Sequence, residues 1–207
     1  MVLLVLSVQL GLVVPNVQVA NAASNMIPGK PAVGEKPYMG WSSYSMQVYS
    51  GNGHWITEEN IKAQSDAMEK LLQPYGYNYI NVDAAWNGGM DGYGRPTPNE
   101  TLYPNGFTNL IDYVHSKGQK FGIYMIPGLS PQAYDQNLPI YGAPECYMQD
   151  IALKPVSHAD YWDLTYKIDF SNPCAQLYID SIADMIADWG VDFVKFDSVT
   201  RVPAYPI

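Results

Sequence analysis

The chain has 207 residues, 47% of them hydrophobic and 13% aromatic, a composition that can build one sizeable core. Its formal net charge is −9, and no Lys, Arg, Asp or Glu precedes Lys30, so all of that charge lies beyond an uncharged leader. An acidic surface argues against nucleic acid or an anionic membrane as partner and favours no particular substrate.

Residues 1–22, MVLLVLSVQLGLVVPNVQVANA, hold an apolar run that ends at Pro15, then the small residues Ala20 and Ala22 around Asn21. They read as a secretory signal peptide cleaved after Ala22 or Ala23, which would place the mature protein outside the cell. No Lys or Arg precedes the apolar run, so either the true start lies upstream of Met1 or the leader is atypical. A membrane anchor is the alternative, but the run is shorter than the roughly 20 residues a spanning helix needs. Residues 23–36 are small and polar with two prolines and read as an entry segment.

Beyond that segment, YMGWSSY (38–44) is a short aromatic strand. TEENIKAQSDAMEKLL (57–72) is a helix capped by Thr57, with Glu58 and Glu59 at its positive end and Ile61, Met68, Leu71 and Leu72 on one apolar side. YNYINVD (77–83) is a β-rich run, followed by a Gly- and Pro-rich loop over 87–106. A helix over 106–118 stops at Gly118, and KFGIYMI (120–126) is the next strand. A long loop covers 127–172. A further helix starts at Pro173 behind a Ser171 or Asn172 cap, and VDFVKFD (191–197) is the fourth strand.

The order β-α-β-α-β-α-β implies parallel strands with right-handed crossovers. Either an open doubly wound sheet or a (β/α)8 TIM barrel satisfies it, and the absence of a Gly-rich phosphate loop weakens the first. A barrel needs about 250 residues. The chain is therefore expected to be the first half of an α/β (β/α)8 barrel, about four β/α units over 37–207, truncated at its C-terminus.

VKFDSV (194–199) puts a lysine and an aspartate two apart in an apolar strand, where an ion needs a partner or a purpose. Side chains alternate along a strand, so Asn81 shares a face with Asp83, and Lys195 with Asp197. In a parallel barrel the carboxyl ends of the strands converge on the active site. Trp41, Asp83, Tyr124, Lys195 and Asp197 would then line one cup. Aromatic walls with carboxylates suit a sugar, whose ring faces stack and whose hydroxyls take directional hydrogen bonds. Glycosidic cleavage usually takes two carboxyl groups. Asp197 is the candidate nucleophile, kept ionised by Lys195. The bland readings are a structural Lys195–Asp197 ion pair, a core Trp41 and a turn-capping Asp83. Trp86, Trp162 and Trp189 are expected to pack rather than bind, and His115, near a helix C-terminus, to serve the surface.

Cys146 and Cys174 are compatible with one disulfide, as they are with two unpaired thiols. No metal-ligand spacing or cofactor motif is present, so no metal and no cofactor are expected.

GWSSY (40–44), GYNYINVDAAW (76–86), LYPNGFTNLIDYVHSKGQKFGIY (102–124) and ADWGVDFVKFD (187–197) together resemble the catalytic domain of glycoside hydrolase family 27, the α-galactosidase or melibiase group. The resemblance runs from about Lys36 to Asp197. It implies a secreted or lysosomal (β/α)8 retaining hydrolase acting by double displacement on an oligosaccharide or polysaccharide. Asp197 would be the nucleophile of its K-[YF]-D motif. Lys195 would bind a sugar hydroxyl, with Trp41 from the G-W motif, Asp83 from D-D-x-W and Tyr124 from G-[IL]-Y. The family's acid/base aspartate lies on a later strand and is expected beyond Ile207, so this stretch alone is expected to be inactive. Two departures bear on the sugar. Ala84 stands where the family usually has a second aspartate gripping the 4- and 6-hydroxyls of galactose. The 127–172 loop also differs from the compact segment usual there. An α-galactosidase is the first reading. The others are a family 27-type hydrolase of another α-linked sugar, such as an isomaltose-releasing α-glucanase, and a non-catalytic carbohydrate-binding barrel.

Overall fold

The computed structural model describes residues 37–198; the segment over 1–22 read as a signal peptide, the entry segment over 23–36 and the last nine residues lie outside them. Four short strands form one all-parallel sheet in the order β1 (Gly40–Ser42), β2 (Tyr79–Val82), β5 (Lys120–Met125), β8 (Phe193–Phe196). The strands are neighbours in chain order, with no reversal. A doubly wound sheet reverses at a switch point, whereas successive units of a TIM barrel do not. The arrangement is thus that of consecutive β/α units, as the alternation of elements in the sequence predicted.

Helix α2 (Glu58–Leu71) follows β1, α3 (Phe107–Ser116) follows β2 and α5 (Pro173–Asp188) follows β5. Two of them, α2 and α5, start where the capping residues say. The Thr57 hydroxyl accepts the Asn60 N–H, and the Asn172 side chain accepts the Cys174 N–H with Pro173 in the first turn. Helix α3 buries Phe107, Leu110, Ile111 and Val114, the i, i+3, i+4, i+7 stripe of an amphipathic helix. Ile80, Val82, Phe121 and Ile123 alternate along β2 and β5 and are fully buried.

Several expectations need correction. In α2 the buried stripe is Glu58, Ile61, Ser65 and Met68, while Leu71 and Leu72 are exposed. The chain leaves the helix at Leu71 into a 3-10 turn over Gln73–Tyr75, so the last two leucines never reach the core. The buried Glu58 carboxylate is satisfied by the Lys62 ammonium and the Asn105 amide. The strand expected over 38–44 ends at Ser42, and a short helix, α1 (Tyr44–Ser50), begins two residues later. The 87–106 segment contains the hairpin β3 (Asn87–Met90) and β4 (Pro96–Pro98). The 127–172 segment contains α4 (Pro131–Asp135) and the hairpin β6 (Pro139–Ile140) and β7 (Ala143–Tyr147). A disulfide joins Cys146 in β7 to Cys174 in α5 and pins this segment to the helix start. His115 does not simply face water: its Nε2 lies 2.7 Å from Asp192, which also takes Lys120 and the Phe121 N–H. That knot ties α3 and β5 to the entry of β8. Burial raises the Asp192 pKa, and these donors more than offset it, so the carboxyl stays below its usual range.

Close strand packing fixes one residue type. A Cβ on Gly122 would stand 2.8 Å from Asn81 Oδ1 and 2.9 Å from the Phe193 ring. A Cβ there would force the Asn81 and Phe193 side chains to shift, with the Phe193 carbonyl 3.3 Å away. Gly122→Ala in the full-length protein should cost about 1–3 kcal/mol in urea unfolding. Gly53→Ala, which meets nothing within 4 Å, should stay within about 0.5 kcal/mol. Equal stability of the two variants would contradict the tight strand approach.

Candidate active site

Strand register builds the site. Tyr124 pairs with Lys195, and Asp83 lies one step beyond the Val82–Ile123 pair. Asp83, Tyr124 and Lys195 therefore form one row at the carboxyl ends of three adjacent strands, with Asp197 one pleat further along the same face. The polar residues share this face, and the fully buried Ile80, Val82, Phe121 and Ile123 occupy the other.

The Lys195 ammonium sits 2.9 Å from Asp83 Oδ2 and 3.9 Å from Asp197 Oδ2. It also lies 5.0 Å from the Tyr124 ring centre and 5.6 Å from that of Tyr44. The two carboxylates are placed differently. Asp83 is 1% exposed, and its oxygens accept the Ala84 N–H at 2.9 Å, the Lys195 ammonium and, at 3.4 Å, the Ser42 hydroxyl. Its own N–H donates to the Ser43 hydroxyl. Such a group is rigid and nearly saturated. The Asp197 side chain is 39% exposed, held at Oδ1 by the Ser198 N–H at 2.7 Å. It therefore keeps lone pairs free toward the cleft. Burial, followed by the nearby Asp197 and Asp83 charges, pushes the Tyr124 phenol up to about 12. The hydroxyl thus stays protonated at neutral pH and can donate. One accessible carboxylate beside an ammonium, next to a fixed acceptor and a phenol donor, can bind a polyol and attack an electrophilic carbon.

These groups open into a cleft of about 910 Å³. Asp83, Tyr124, Lys195 and Asp197 line it together. Trp41 does not: it is in register with the buried Ile80 and packs against Trp55, ring centres 6.2 Å apart. Ala84 lines the cleft beside Asp83. Tyr44, which the sequence did not single out, also reaches it, and so do Trp86 and Trp162, which were expected to pack rather than bind. Trp86 has both duties, since it stacks on Phe107 and donates its indole N–H to the Tyr124 carbonyl at 2.6 Å. Trp189 packs edge-on against Trp86 and Phe107, as expected of a core residue. Tyr44 stood inside the quoted GWSSY block, but its place depends on a helix the pattern did not reveal. Trp162 lies in an irregular loop, where no periodicity signals a direction. Two residues in left-handed backbone, Ala85 (φ 72°) and Ser198 (φ 57°), close the turns just after Asp83 and Asp197. Strain of this kind gathers where a strand end must aim a functional group. Among the described residues no group of three or more His, Cys, Asp or Glu is placed to hold a metal ion.

The comparisons with known proteins agree with this geometry. The family model Melibiase_2, alpha galactosidase A, matches residues 35–143. The chain is 30% identical over 168 residues to an alpha-galactosidase of Oryza sativa subsp. japonica, covering 80% of this chain and 30% of that protein. It is 31% identical over 164 residues to alpha-galactosidase A of Cellvibrio japonicus, covering 78% of this chain and 30% of that protein. A solved GH27 β-L-arabinopyranosidase from Geobacillus stearothermophilus matches with a TM-score of 0.71 and 34% identity, over 79% of this chain and 40% of that one. The chain thus spans about 30% of the length of these two curated relatives.

The Lys195–Asp83 contact yields a stability test. Lys195→Met would leave the Asp83 carboxylate buried without its cation. The expected loss is about 1–3 kcal/mol, below that of a fully buried pair because Lys195 is partly solvated. Adding Asp83→Asn should return part of it, and a double-mutant cycle by urea unfolding should give a coupling of about 1 kcal/mol or more. A coupling near zero would mean the contact stabilises nothing.

Proposed function

This chain belongs to the melibiase family, glycoside hydrolase family 27, and from that premise we propose that the full-length protein is a retaining glycosidase releasing terminal α-D-galactosyl residues. The observation that carries the reading is Asp197, an accessible carboxylate at a strand end beside the Lys195 ammonium. Asp197 attacks the anomeric carbon from the face opposite the leaving oxygen. The glycosidic C–O bond breaks, and a second carboxyl group protonates that oxygen. The family resemblance assigns this acid to an aspartate on a later strand. Water, activated by the same group now acting as base, then releases the sugar with its original anomeric configuration. Lys195, Asp83 and Tyr124 bind sugar hydroxyls as donor, acceptor and donor. The substrate is a galactose-terminated oligosaccharide or polysaccharide, with no nucleic acid or membrane partner.

Ala84 favours a second reading of the sugar. It lines the cleft where the family motif has an aspartate holding the 4- and 6-hydroxyls. A methyl group offers no acceptor there. β-L-arabinopyranose keeps the ring configuration of galactose and lacks C6, so it would miss that acceptor less. A solved relative at 34% identity is described as a β-L-arabinopyranosidase. We also propose that the protein is exported, supported by the leader over 1–22 and by the Cys146–Cys174 disulfide, a bond that persists in oxidising compartments.

Asp197→Asn in the full-length protein should lower hydrolysis of an aryl α-D-galactoside by about four orders of magnitude, as loss of a catalytic nucleophile does. Unchanged hydrolysis would end the nucleophile assignment. NMR of the first product should show the α anomer; the β anomer would rule out retention. For the sugar, rates on aryl α-D-galactoside, aryl β-L-arabinopyranoside and dextran should rank galactoside first. A faster arabinopyranoside, or isomaltose release from dextran alone, would replace galactose.

A further inference from the structure

Trp162 is a large apolar side chain left 48% exposed on the rim of the cleft. The loop that carries it, residues 160–165, has no regular structure, yet it is tightly held. Its neck is closed by the Ala159 N–H on the Thr165 carbonyl at 2.9 Å. Its inside is filled by the Asp160 carboxylate, itself 8% exposed. Asp160 accepts the N–H groups of Trp162 at 2.8 Å, Leu164 at 3.0 Å and Thr165 at 2.7 Å. The Thr165 hydroxyl lies 2.7 Å from Asp160 and 2.8 Å from the Pro127 carbonyl; its single proton serves one of them. These bonds outweigh the cost of burial and keep the Asp160 carboxyl below its usual range. The loop is also fastened to the reacting end of β8. The Tyr161 N–H donates to the Ser198 hydroxyl at 2.8 Å, and the Ser198 N–H donates to Asp197. The Tyr161 ring meets the Trp162 indole edge-on, 5.9 Å between centres.

An exposed indole held this firmly is poor economy for stability alone. A preorganised aromatic surface costs little entropy when a ligand stacks on it. We propose that Trp162 is the stacking platform for the second sugar ring, on the leaving-group side of the bond to be cut, and that Asp160 is the positioning residue that presents it. Lys195, Asp83 and Asp197 grip the terminal sugar, and the next ring outward meets the rim. The ligand class is an oligosaccharide of two or more pyranose rings. This rests on the galactoside reading above.

The test uses the full-length protein carrying Asp197→Asn, so that bound sugar is not consumed. Calorimetry compares D-galactose with melibiose, an α-1,6-linked galactosyl glucose. Trp162→Ala should weaken melibiose about tenfold and leave galactose within about twofold. Trp162→Phe should retain most of the melibiose affinity. Asp160→Asn, which keeps the volume and loses acceptor capacity, should lower melibiose several-fold and spare galactose. If Trp162→Ala leaves melibiose unchanged, or weakens both sugars alike, the platform is overturned while the galactose reading stands. If the protein with Trp162 intact binds neither sugar, the galactose reading falls and the platform with it.

Discussion

One ammonium group organises the polar end of the sheet. Lys195 and Asp83 are 112 residues apart in the chain and meet at 2.9 Å. They stand on β8 and β2, on either side of β5, so the contact spans the sheet and can form only when three strands are in register. A carboxylate that is 1% exposed would be costly without its donors. The same ammonium reaches toward Asp197 at 3.9 Å, so one cation serves a buried anchor and an accessible carboxylate. The site and the fold therefore draw on a single contact.

The sheet makes room for that contact at some expense. Gly122 leaves space for Asn81 and Phe193, and Ala85 and Ser198 adopt left-handed backbone without being glycine. Each costs free energy locally, and the core on the opposite face supplies it. Ile80, Val82, Phe121 and Ile123 are sealed under the helices, and Trp86 ties that packing to the site through the Tyr124 carbonyl. Positioning chemistry on strand ends above a rigid apolar layer is the logic that parallel β/α folds share.

The long segment between β5 and α5 adds fixed contacts to burial. Leu129, Ile140, Met148 and Ile151 join the core, and polar contacts and a covalent tie hold the rest. The disulfide to Cys174, the Asp160 carboxylate and the paired backbone of Leu129 and Tyr166 give it shape. Its exposed loop over 160–165 reaches the mouth of the cleft, where a change need not disturb the sheet.

The sequence by itself determined the regular layer. Four strands, three major helices, the Thr57 cap, a cap at Ser171 or Asn172 and the apolar stripe of α3 follow from local propensity and periodicity, which act over a few residues. It also placed Asp83, Tyr124, Lys195 and Asp197 at strand ends, because alternation and the family motifs are both written along the chain. It did not reveal α1, the two hairpins, or the exposure of Leu71 and Leu72, which depend on where the chain turns away from the core. The cleft-lining Trp162 and Tyr44, the displacement of Trp41 toward Trp55 and the choice of Asp83 over Asp197 as closest partner of Lys195 were settled by tertiary structure alone. Those facts rest on distances between residues far apart in sequence, and only strand register and loop closure set such distances.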